Sequence, residues 1–302
     1  MTGSAARHVQ GPSRALAEGA YDDPALYDLL HTPGTAAELN GIERIARRFA
    51  PPSRRWLEPC CGTGRFLRLL ARRGRVRCVG VELDPIVAEY ANKRLARTDR
   101  SQIPRARALV GDIRSLDRLS FPRSLAPPFG FAFCPHNSIR HLTTPPDLTA
   151  HLCAVAAVLA PGGIYAVGTS LQPIDQAVVG EDVHTAKRGE TRVTSTCQYF
   201  DAPRSSSGHR LERILTHNTV RVGRCSRLTE SVYDLLCIDP AMWHRCTASA
   251  GLSEIAIVDD DRARDLPADR VDYAFRVLVK NEVHRAGGEA RRIQRRIADD
   301  RA

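Results

Sequence analysis

From residue 50 onward the apolar positions switch between two periods. The short runs RWLEPC, RVRCVGVEL, RARALVGDI, PFGFAFC and IYAVGTSL read as strands. Between them, RFLRLLARRG, PIVAEYANKRLAR and PPDLTAHLCAVAAVLAPGG carry apolar residues at helical spacing. Gly74 stops the first of these helices, Pro85 opens the second, and Pro-Gly-Gly at 161–163 ends the third. Two further helices come earlier in the chain. YDDPALYDLLH has an aspartate ahead of a first-turn proline, and TAAELNGIERIARRF runs up to Pro51 and Pro52. Strands alternating with helices of this length predict an α/β chain, a doubly wound and mostly parallel sheet with helices on both faces.

The rhythm changes after residue 171. ETRVTSTCQYF, RLERILTHNTVRV and RLTESVYDLL show strand-like alternation with little helical period, separated by turn-rich segments such as DAPRSSSGH. They predict a small antiparallel β insertion of about three strands over 172–237. PAMWHRCTASAG returns to helix, and SEIAIVDD and YAFRVLVKN read as two closing strands that bring the main sheet to seven. No internal repeat occurs. Residues 1–20 form a lead-in expected to be disordered, and residues 282–302 form a basic tail.

Ligands of an open parallel sheet sit beyond the carboxyl ends of its strands. WLEPCCGTG lies at such an end, where small residues let the backbone approach a ligand and the next helix offers free N–H groups. The same residues also suit a tight strand-to-helix turn with no ligand. Gly62 and Gly64 fit a dinucleotide G-x-G-x-x-G, but its third place is Leu67, which argues against a nicotinamide cofactor. Glu82, closing the second strand, is placed to accept hydrogen bonds from ribose hydroxyls. Asp112 and Ile113, after the third, are placed to take an adenine amine and cover the ring.

With these pieces in order, the chain resembles the class I S-adenosylmethionine-dependent methyltransferases. LEPCCGTGRF, VGVELDP, VGDI, PFGFAFC and LAPGGIYAVG match over roughly residues 50–170. Cys60 stands where the family pattern commonly has its first glycine. The resemblance implies a Rossmann-like methyltransferase fold, with residues 21–171 and 238–281 as the cofactor-binding domain and S-adenosyl-L-methionine as cofactor. It implies that Glu58, Cys60, Gly62 and Gly64 surround the amino-acid end, that Glu82 holds the ribose with Leu83 flanking the adenine, and that Asp112 and Ile113 hold the adenine. Cys134 then lies near the sulfonium.

CPHNSIRHL, residues 134–142, lacks the N/D-P-P-Y/F of nucleobase amino-methyltransferases. It is more similar to the F-x-S-I-G-H-L of small-molecule N-methyltransferases acting on amino sugars, which also carry an antiparallel insertion. Arg140 replaces the glycine of that pattern. The comparison implies a small-molecule methyl acceptor, with His141 as the base that takes the amine proton and His136 as its rival. Asn137, Tyr21 and Tyr27 are candidate substrate or lid residues, and the insertion is a substrate wall or a homodimer surface, with Tyr199, Tyr233 and Trp243 as candidate lining.

Composition adjusts this picture only at its edges. The net charge of +10 comes almost wholly from arginine, since there are only three lysines. A basic surface keeps an RNA or protein methyltransferase open as an alternative, with nucleic acid disfavoured by the missing motif. A non-catalytic S-adenosylmethionine-binding protein is the other alternative. The nine cysteines form no C-x-x-C pair, so neither a zinc site nor a disulfide framework is expected, and no metal ligand set stands out. No apolar run of ~18 residues predicts a membrane span. The first residues lack a signal-peptide core, and a cytoplasmic enzyme is expected.

Overall fold

Four of the six helices among the described residues start on one device. Asp23, Asp84, Thr144 and Asp239 each accept hydrogen bonds from first-turn amides, and a proline follows each directly. The cap satisfies N–H groups that have no partner within the helix, and proline lacks the N–H that would otherwise go unmet. The helices so opened are α1 (Pro24–His31), α4 (Pro85–Ala96), α5 (Pro145–Val158) and α6 (Pro240–Ser249). The other two, α2 (Thr35–Phe49) and α3 (Arg65–Arg73), start directly after left-handed glycines, Gly34 and Gly64. The computed structural model describes residues 23–99, 101–172, 180–202, 204 and 208–281.

The main sheet has seven strands: β1 (Arg55–Pro59), β2 (Arg77–Glu82), β3 (Ala106–Val110), β4 (Phe129–Cys134), β5 (Leu159–Thr169), β10 (Leu252–Val258) and β11 (Ala274–Lys280). Their spatial order is β3-β2-β1-β4-β5-β11-β10, parallel from β3 to β5, with β11 antiparallel to both its neighbours. The expected doubly wound α/β sheet is therefore present. The order reverses at β1, between β2 and β4, and this opens a crevice at the carboxyl ends of β1 and β4. Side chains alternate across the sheet. Phe131 and Phe133 join Trp56 and the apolar faces of α2, α3 and α4, while Ala132 and Cys134 join α5 and α6 on the other side.

A second sheet of four strands, β6 (Gly180–Arg188), β7 (Thr191–Ala202), β8 (Leu211–Val222) and β9 (Cys225–Leu236), is fully antiparallel. The expected three strands missed β6. That strand lies at the sheet edge and is exposed at every position except Ala186, so it carries no apolar alternation to read. A second departure lies at LAPGG, expected as a helix end. The helix stops at Val158, and Leu159 already pairs with Phe129 of β4. Gly163 permits this, since a Cβ there would stand 2.8 Å from the Ala160 carbonyl oxygen and 3.1 Å from that of Phe129.

Candidate active site

The loop leaving β1 is pressed onto β2. Cys61 N–H donates to the Val81 carbonyl at 3.0 Å, and a Cβ on Gly80 would lie 2.5 Å from the Cys61 sulfur. Cys60, Gly62 and Gly64 all take positive φ (59°, 52° and 70°), which curls the loop before α3. Glu82, at the end of β2, ties this loop to the next. One carboxylate oxygen accepts the Gly62 N–H at 2.9 Å and the other the Asp84 N–H at 3.0 Å. Leu83 follows with 70% of its surface exposed, an apolar flat beside the acid. Glu58 is buried at the end of β1, and its Oε2 has no hydrogen-bond partner. Desolvation pushes its carboxyl well above the usual range.

Asp112 and Ile113 come after β3. Asp112 is engaged by a residue that sequence reasoning missed: Arg114 donates to both its oxygens and reaches Asp147 at 2.7 Å. The Arg114 hydrogen bonds lower the Asp112 pKa. His151 of α5 was also missed. It is fully buried, with Nδ1 3.0 Å from the Ile113 carbonyl oxygen and Nε2 2.8 Å from the Tyr165 hydroxyl. Burial, with Cys134 and Cys60 close by, pushes the Tyr165 hydroxyl well up. A buried pair of polar side chains, His151 and Tyr165, therefore supports the Ile113 segment. Its only sequence trace is one histidine inside an apolar helix.

Helix α1 lies over the glycine loop. A Cβ on Gly62 would come within 3.9 Å of the Tyr27 ring. Buried Asp28 pins the helix through Arg68, Thr63 and Tyr90. Tyr21 lies outside the described residues, as do the lead-in and the tail. His136 forms a clamp. Its Nε2 meets Glu38 Oε2 at 2.9 Å and the Arg65 guanidinium, and its ring stacks between Phe66 and Tyr273. Burial opposes the Glu38 charge, but hydrogen bonds from His136 and Arg65 outweigh it and hold its pKa at about 2. This clamp joins the loop after β4 to α2 and α3, so the nitrogen facing Glu38 is already engaged. Asn137 is a connector as well: its Oδ1 accepts the Ser170 N–H at 2.7 Å and the Thr169 hydroxyl at 3.2 Å.

His141 stands apart from that clamp. It ends the single helical turn Ser138–His141, and its ring stacks on Tyr233 of β9 at 5.3 Å. The residue reaches solvent, yet the ring is hemmed in by protein. Desolvation, with help from the Arg140 charge, lowers its pKa to about 4. Tyr233 belongs to one face of the insertion, together with Ile214, Thr216, Asn218 and Val220 of β8. At its far end this face packs on Leu26, Leu29 and Leu30 of α1 through Ala186, Val193 and Val220. The insertion thus roofs the space between α1 and His141. Ser195, Thr216, Asn218 and Ser231 form a buried polar stripe in the middle of the roof, and the Asn218 amide has no partner at all. Trp243, a candidate for this wall, is elsewhere. It is buried in α6 and bonded to Glu254, beside a cavity of about 540 Å³ under β10 and β11.

The family model for the methyltransferase domain matches residues 57–163, the span from β1 through the glycine turn that opens β5. Over that span the chain is similar to a methyltransferase domain. No curated protein matches the sequence. Among solved structures, DesVI of Streptomyces venezuelae is similar at 22% identity and a TM-score of 0.65, covering 86% of this chain and 98% of that one. The sugar N-methyltransferase KedS8 of Streptoalloteichus covers 93% of this chain and 100% of its own, at 20% identity and a TM-score of 0.63. The amino pentose methyltransferase CalS10 of Micromonospora echinaspora covers 85% and 95%, at 23% identity and a TM-score of 0.59. At these identities the likeness is one of fold, and it extends over the insertion.

The methyltransferase residues present fit the cofactor. An orphaned carboxylate oxygen on buried Glu58 suits a cationic amino group, and the curled Cys60–Gly64 loop leaves backbone room beside it. Glu82 and exposed Leu83 supply acceptors and an apolar face at the next strand end. Bound there, S-adenosylmethionine supplies an electrophilic methyl group on a sulfonium. Among the described residues no cluster of His, Cys, Asp and Glu could hold a metal, and no helix is long and apolar enough to cross a membrane.

His151 makes the supporting network pH-sensitive. Burial lowers its pKa from 6.5 to about 4, so the unfolded chain takes up this proton before the folded one does. Stability is therefore lost as pH falls from 6.5 towards 4, by about 3 kcal/mol from this group. Urea unfolding at both pH values should show the loss, and His151→Gln should flatten it. An equally steep loss in that variant would acquit His151.

Proposed function

We propose that the protein transfers a methyl group from S-adenosylmethionine to an amine nitrogen of a small, hydroxyl-bearing molecule seated beneath the insertion. The roof carries this reading. A buried stripe of hydroxyl and amide groups lies between α1 and His141, and it includes an amide with neither donor nor acceptor matched. Such a group costs about 1–3 kcal/mol when left unpaired, and a ligand rich in hydroxyls meets that need. The similar folds of a sugar N-methyltransferase and an amino pentose methyltransferase support the same acceptor class.

An ammonium has no lone pair, so the acceptor must shed a proton before nitrogen can attack the methyl carbon in line. His141 is the residue we assign to receive it: at neutral pH its imidazole is uncharged and able to accept. Tyr233 stacks on the ring, and α1 packs against the far end of the roof.

The test is an acceptor panel with S-adenosylmethionine, read by mass spectrometry. Amino sugars and their nucleotide or glycoside conjugates should be methylated at nitrogen. Methylation of RNA or protein with none of these amines would overturn the reading. Asn218→Leu adds a sharper expectation. It should raise the acceptor KM about tenfold or more, leave cofactor binding unchanged, and stabilise the unliganded fold by about 1 kcal/mol. A stripe that only packs would give no change in KM.

A further inference from the structure

Arg140 is the residue by which this chain departs from the glycine of the amino-sugar N-methyltransferase pattern, and it precedes His141 directly. Its side chain and that of Glu212 are each 3% exposed and meet at 2.6 Å. Arg140 Nε also donates to the Leu236 carbonyl at 2.8 Å. One side chain from the turn after β4 therefore grips both β8 and β9. The grip falls at the root of the insertion. There the Gln172 N–H donates to the Ile238 carbonyl at 2.8 Å, and the Cys237 N–H to that of Arg210 at 3.0 Å. Tyr233, three residues before Leu236 on β9, holds the His141 ring.

Burying two charges is a poor way to gain stability. Each loses its hydration, and an apolar pair of similar volume often does as well or better. What an ion pair with a second hydrogen bond supplies is direction. The fork of Arg140 fixes where two strands stand relative to one turn. The roof that seats the acceptor and the residue that receives its proton are joined at this point.

We propose that Arg140 and Glu212 are positioning residues. They set the insertion in register with the turn after β4, so that an acceptor held under the roof meets the His141 imidazole in reactive geometry. This rests on the amine-methylation reading above.

The test starts from Arg140→Met combined with Glu212→Leu, which removes both charges and leaves neither stranded. We expect melting temperature and S-adenosylhomocysteine affinity close to those of the parent, with kcat reduced between about tenfold and hundredfold and a smaller change in acceptor KM. Arg140→Lys keeps the charge and loses the second bond to Leu236, so it should restore part of kcat. In a His141→Ala background the double replacement should change kcat by less than about twofold. Should the double variant fail to fold, the near-isosteric Glu212→Gln takes its place, with an intermediate loss of kcat expected. Parent kcat in the charge-free variant, or an equal loss with and without His141, would overturn the proposal. Parent turnover in His141→Ala alone marks a different failure, that of the base assignment.

Discussion

Glu82→Ala should abolish measurable binding of S-adenosylhomocysteine in a calorimetric titration that gives micromolar affinity for the parent protein. The carboxylate does two things at once. Its oxygens already accept the Gly62 and Asp84 amides, so removing them releases the loop between β1 and α3 and the turn that opens α4. Each oxygen keeps lone-pair capacity for a ribose hydroxyl. Hydrogen bonds to a charged acceptor contribute roughly 1.5–3 kcal/mol each, so losing two costs on the order of a hundredfold in Kd or more. Desolvation raises the Glu82 pKa although the backbone amides pull it down, so the group is also a weak point at low pH. Its folded-state pKa lies above the unfolded one, so burial favours its neutral form as pH falls, and cofactor affinity should weaken in step. Glu82→Gln keeps one acceptor and should fall between the two. NAD is the control ligand. Parent-like affinity in Glu82→Ala would remove this acid from the cofactor site.

Much of the loop and strand-end arrangement proposed for the cofactor was legible because its parts are local. A strand end, a left-handed loop and a capped helix each leave a mark within a few residues, and the Asp-Pro starts of α1, α4 and α6 are readable directly. The residues that sequence reasoning missed act across distance. His151 reaches Ile113 from 38 positions away, and Glu212 reaches Arg140 from 72. Nothing in the apolar stretch around His151 marks it as a hydrogen-bonding hub, and nothing in RLERILTHNTVRV marks Glu212 as buried. His136 shows the opposite error. The sequence placed it beside His141 in one short segment, but positive φ at His136 and Asn137 turns the chain between them. One histidine then faces α2 and α3 and the other faces the insertion. The edge strand β6 escaped because solvent sees nearly all of it, so its side chains were never patterned by a core.

Cys60 was legible as a departure but not as a strain. At φ of 59° it holds a conformation that costs a residue with a Cβ about 1 kcal/mol, which glycine would not incur. Cys134 close by, together with burial, pushes its thiol pKa well up. A glycine at position 60 would relax the backbone there.

His141→Ala should lower kcat by about a hundredfold or more, with S-adenosylhomocysteine affinity within about twofold of the parent. An imidazole with a pKa near 4 looks a poor match for an ammonium in bulk water. The pocket alters that comparison. Desolvation disfavours both cations, so the effect that lowers the His141 pKa lowers that of a seated ammonium too. Arg140 adds repulsion against a charged imidazole, which speeds its return to the neutral form. The sign of the pH dependence follows. His141 is able to accept a proton above about pH 4, and the part of kcat that depends on it should be lost only as pH falls through that value. Titration of the free acceptor would instead show as an acid limb in kcat/KM nearer the acceptor's own pKa. The separating measurement is the pH profile of kcat for parent and variant. A variant that keeps both the magnitude and the profile would show that bulk water takes the proton, leaving His141 as a ring that merely fills the space under Tyr233.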